Sequence, residues 1–76
     1  MAALLATGVA LADAESARYE QVRDYATKSI AVLSAVTPRN SAEARQRDKG
    51  LASMRAAEAQ MTCALIRREN PSAACP

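Results

Sequence analysis

The chain has 76 residues and a mass of 8.0 kDa, room for one domain. Its ten basic and eight acidic residues are interleaved to a net charge of +2, a solvated mixed surface that argues against a nucleic-acid partner. Half of the residues are hydrophobic, yet the mean hydropathy is only −0.15, because alanine, a strong helix former that buries little area, supplies about a quarter of them.

Residues 2–12 read AALLATGVALA, an uncharged apolar run followed by Asp13, Ala14 and Glu15. The run looks like the hydrophobic region of a secretory signal peptide. Two small-x-small cleavage patterns end it: Ala10-Leu11-Ala12 before Asp13, and Ala12-Asp13-Ala14 before Glu15. No Lys or Arg stands between Met1 and the run to form a basic flank. The run has only about half of the ~20 apolar residues needed to cross a membrane. The expectation is therefore that residues 1–12 form the first turns of a long helix, covered by a partner or a membrane surface. A retained signal-like anchor dipping into a membrane, and an upstream-truncated or misassigned start of an exported protein, are the alternatives.

The periodicity from there to Val36 is helical. Leu5, Val9, Ala12, Tyr19, Val22, Ala26, Ile30, Leu33 and Val36 recur at spacings of three and four, with one gap at Ser16. Leu4, Leu11, Tyr25 and Val32 form a second apolar face on the same segment. Asp24 with Lys28, and Glu15 with Arg18, are expected pairs on the outer face. Pro38 disfavours helical geometry at Thr37, so the first helix should end near Val36.

Asn40 can cap a second helix, and Glu43 three residues on completes a capping-box pattern. Ala44, Leu51, Met54, Ala57, Met61 and Leu65 make a thinner stripe along it, interrupted by Arg47 and Asp48. Glu43 and Arg47 are spaced as a favourable pair. Gly50 weakens this helix by about 1 kcal/mol relative to alanine and marks a kink or a close helix contact. Cys63 and Ile66 extend the second apolar face. Asn70-Pro71 stops the helix, leaving residues 70–76 as an irregular tail.

No period-two strand pattern of useful length occurs. The sequence thus predicts an all-α fold: one antiparallel two-helix hairpin domain, with helices at about 2–36 and 41–69. Large apolar residues are few, and chains of this size usually need a staple or a partner. The expected interaction face is Leu5, Val9, Tyr19, Val22, Ile30, Leu33 and Val36, with Leu51, Met54, Met61 and Leu65.

Cys63 and Cys75 are separated by a tail long enough to fold back after Pro71, so a disulfide between them is sterically allowed. Closing a loop of that size stabilises by about 3 kcal/mol in the chain-entropy model. Two free thiols, or bridges between molecules, are the alternatives. A bridge implies an oxidising compartment such as a periplasm or cell envelope. The spacing does not fit a CxxC redox motif, and zinc would lack ligands without histidine.

With no histidine and only two glycines, the chain has neither the commonest general base nor a phosphate-binding loop. No catalytic residue, cofactor or metal is expected. Arg39, Arg45, Arg47 and Lys49 cluster at the turn, where contact with phosphate or anionic lipid is the alternative to plain solvation. The functional expectation is a small structural or accessory subunit, associating through apolar helix faces in a homo-oligomer or a larger, virion-like assembly. The alternative is an exported or membrane-associated envelope protein, locked by the disulfide and acting as a binding module.

Overall fold

The computed structural model describes the backbone of residues 2–75 and the side chains of residues 14–75. Two helices, α1 (Ala2–Ser34) and α2 (Ser41–Glu69), pack against each other, and no strand occurs among the described residues. The protein is an all-α antiparallel hairpin with a short irregular tail. Among the described residues no helix is long and apolar enough to cross a membrane.

α1 stops two residues short of the expected Val36. The amides of Ala35 and Val36 donate to the carbonyls of Val32 and Leu33, at 3.2 and 3.1 Å. These tightened bonds to the third residue back close the last turn before Pro38 forces the chain into extended geometry. α2 begins as its sequence predicts. The Asn40 side chain accepts from the Glu43 amide at 2.9 Å, and the Asn40 carbonyl accepts from Ala44 at 3.1 Å. The other half of the capping box is shifted by one residue, with Glu43 Oε1 accepting from the Arg39 amide at 3.0 Å. At the far end the Asn70 amide closes on the Ile66 carbonyl at 2.8 Å.

Cross-helix neighbours fix the register. Arg47 reaches Val36, Gly50 faces Leu33, Thr27 meets Glu58, and Arg68 covers Tyr19. Glu69, the last residue of α2, lines a groove with Ser16. α1 therefore continues past the end of α2 toward its own N-terminus by roughly 20 Å, at 1.5 Å per residue.

The seam is thin. Only Ala26, at 2% exposure, and Leu51, at 8%, are buried among the described residues. Tyr19, Ile30, Leu33, Met54, Met61 and Leu65 are half-buried around them. Small residues let the two backbones approach. A Cβ added at Gly50 would lie 3.2 Å from Leu33 Cδ1, so this glycine marks a close contact between helices.

Candidate association surface

The apolar stripe anticipated on α1 divides in two. Tyr19, Ile30 and Leu33 are half-buried where α1 packs on α2, as are Met54, Met61 and Leu65 around the buried Leu51. Val22 and Val36 stay 49% and 42% exposed. Leu5 and Val9 lie outside the residues whose side chains are described. So do Leu4 and Leu11 of the second face.

That second face also divides. Tyr25 and Val32, at 69% and 68% exposure, border an open groove of about 440 Å³ with Lys28, Ser29, Leu33 and Met54. Its walls are almost wholly apolar. Ile66, 47% exposed, instead lines grooves with Thr62, one of them shared with Ser16, Glu20 and Arg23 and the other with Cys63 and Cys75. Tyr25 and Ser16 stand on opposite sides of α1's seam-facing line, because nine residues at 100° each turn the helix by two and a half revolutions. The hairpin therefore carries two apolar edges where one continuous face was expected, and the Tyr25–Val32 edge is the more exposed.

Polar contacts across the seam are sparse. The Thr27 hydroxyl donates to Glu58 Oε2 at 2.6 Å, a charge-assisted bond between half-wet helix faces. The Arg68 guanidinium sits 5.9 Å from the Tyr19 ring centroid, near the outer limit of a cation–π contact. Of the expected ion pairs, Glu15–Arg18 forms at 3.1 Å. Asp24 pairs with Arg23 at 3.9 Å, and Arg47 with Asp48 at 3.2 Å in place of Glu43, which is engaged by the Arg39 amide. These pairs are largely exposed and contribute little to stability.

The basic cluster at the turn is not uniform. Arg39, Arg45 and Lys49 are exposed. Arg47 is directed inward, donating through Nη1 to the Val36 carbonyl at 3.2 Å while holding Asp48. α1 has no basic residue in its own last turn. Arg47 thus brings a positive charge from the neighbouring helix to the negative end of the α1 dipole. Sequence reasoning missed this role, and also the Thr27–Glu58 bond. Both depend on the register between helices, which no local spacing encodes.

Cys63 and Cys75 are joined in a disulfide, with Cα atoms 5.7 Å apart. The tail turns back along α2 to reach Cys63. The Ala73 amide donates to the Asn70 carbonyl at 2.9 Å, and Arg67 Nε donates to the Ala73 carbonyl at 3.2 Å. Ser72 Oγ lies 3.1 Å from Asn70 Oδ1. Compared with protein-family models, curated proteins and solved structures, the chain has no match in any of the three.

Proposed function

We propose that the chain is a non-catalytic association module, which pairs its Tyr25–Val32 edge with the same edge of a second copy. The observation that carries this reading is the imbalance of burial. Among the described residues only Ala26 and Leu51 are buried, while Val22, Tyr25 and Val32 of α1, and Val36 just beyond it, stay 42–69% exposed. A two-helix layer has only one seam, so its outer edges gain cover by placing two hairpins side by side as a four-helix bundle. The rim of that edge carries both signs of charge, with Asp24 and Lys28 exposed four residues apart. A two-fold copy can set each against its opposite.

The non-catalytic part of the reading rests on the residue inventory, which lacks histidine and any phosphate-binding loop. The disulfide favours a second feature of the reading, residence in an oxidising compartment such as a bacterial envelope. There the bond would persist without competing reductants.

Light scattering of the oxidised protein over a range of concentrations tests the pairing. A dimer is expected, and Val32→Glu should yield a monomer with unchanged helical circular dichroism. A wild-type protein that stays monomeric at high concentration overturns self-pairing. A dimer that survives both Val32→Glu and Tyr25→Glu assigns the contact to another surface.

A further inference from the structure

We propose that the peptide bond between Ala12 and Asp13 is a signal-peptidase cleavage site, and that the functional hairpin begins at Asp13. Three independent observations meet at this bond. The first is the sequence pattern: an uncharged apolar run, then Ala10-Leu11-Ala12 with small residues at the two positions such a peptidase reads. Gly8 lies just ahead of the pattern and weakens helix there, which helps the substrate extend into a protease cleft.

The second observation is where the hairpin stops. α2 ends at Glu69, level with Ser16, and the tail beyond turns back toward Cys63 rather than running on along α1. The contacts that set the register, from Arg47 on Val36 to the groove shared by Ser16 and Glu69, are made by residues beyond the bond, and cutting at Asp13 leaves them intact.

The third is helix-end chemistry. α1 as a whole has no acidic residue in its first turn. The acidic start expected of a helix N-terminus, Asp13 followed by Glu15, stands instead inside it. After cleavage these carboxylates occupy the first turn of the new helix, where they complement its dipole.

The disulfide agrees with the same route. Its formation removes two protons and two electrons from Cys63 and Cys75, passed to a disulfide-donating oxidant of the receiving compartment. Cleavage itself is hydrolysis. Water adds across the Ala12–Asp13 amide, leaving a carboxylate on Ala12 and an amine on Asp13. This inference does not depend on the pairing proposed above, because it concerns the other end of α1.

The test is expression of the full chain in a Gram-negative bacterium, followed by fractionation, intact mass and N-terminal sequencing. A parallel version carries two lysines ahead of Ala2, supplying the basic flank that export favours. The expected product is periplasmic, oxidised and starts at Asp13. Ala12 belongs to both small-x-small patterns, so Ala12→Arg should leave residues 1–12 attached and the chain in the membrane fraction. Ala14→Arg spoils only the later pattern and should still be cut. Retention of residues 1–12 by both versions overturns the proposal. So does cleavage that ignores Ala12→Arg, or that vanishes with Ala14→Arg.

Discussion

Thr27 on α1 and Glu58 on α2 stand 2.6 Å apart, oxygen to oxygen, midway along the seam. The Thr27 hydroxyl also lies 3.0 Å from the Arg23 carbonyl of its own helix, but its single proton goes to the closer, charged acceptor. This bond ties the two arms at the rim of the seam, beside the buried Ala26, where Thr27 itself is exposed and Glu58 half-buried. Thr27→Val keeps the shape and removes the donor, and should destabilise the hairpin by about 1 kcal/mol. Urea denaturation reads the change. A variant as stable as wild type would mean that water serves Glu58 equally well.

Gly50 offers a prediction with opposite signs for two replacements. Alanine gains about 0.8–1 kcal/mol in helix propensity. Its new Cβ would meet Leu33 Cδ1 at 3.2 Å, the far end of a side chain that borders the open Tyr25–Val32 groove and has room to turn. Gly50→Ala should therefore raise the melting temperature slightly, for a net gain of about 0.5 kcal/mol. Gly50→Leu overfills the contact and should destabilise by about 1–3 kcal/mol. Thermal scans of the two proteins decide it, and a loss with alanine would show the backbone approach to be rigid.

The basic residues of the turn should separate in the same kind of measurement. Arg47→Met removes a donor to the Val36 carbonyl and a charge at the end of α1, and should cost about 1 kcal/mol. Arg45 is exposed, and Arg45→Met should fall within about 0.5 kcal/mol of wild type. Equal effects at the two positions would contradict the inward role of Arg47.

Reduction of the Cys63–Cys75 bond should lower stability by up to about 3 kcal/mol. Helical content should barely change, since α2 reaches Glu69 through its own backbone bonds. Hydrogen exchange is expected to quicken most at residues 70–75, and in the seam only by the factor that the loss of global stability sets. Collapse of far-ultraviolet circular dichroism on reduction would instead make the bond a condition for folding.

The ends of the helices were legible because single residues write them: Pro38, Asn40 with Glu43, and Asn70-Pro71 act through local geometry. The disulfide was legible as an allowed pairing, since the helix stop and the tail length put Cys75 within reach of Cys63. The facing of α1 was less so. Tyr19, Val22, Tyr25, Ile30, Val32, Leu33 and Val36 spread over an arc of about 160° at 100° per residue, wider than one seam, so periodicity alone leaves the seam direction open. The choice comes from α2, whose narrow stripe around Leu51 takes Ala26 and Leu33 and leaves Tyr25 and Val32 outside. Arg47 shows the same limit, because neighbouring arginines with one sequence signature differ only in what the partner helix holds opposite them.

The disulfide lies wholly within the second arm and its tail, at the end farthest from the turn. It does not bridge α1 to α2. Oxidation and closure of the hairpin are therefore separable events. A thiol oxidase can make the bond on a chain whose arms have not met, and a closed hairpin can lose it without parting. The short connection at residues 35–40 is the one covalent link between the arms, so the speed at which they meet is set by that turn and not by redox chemistry.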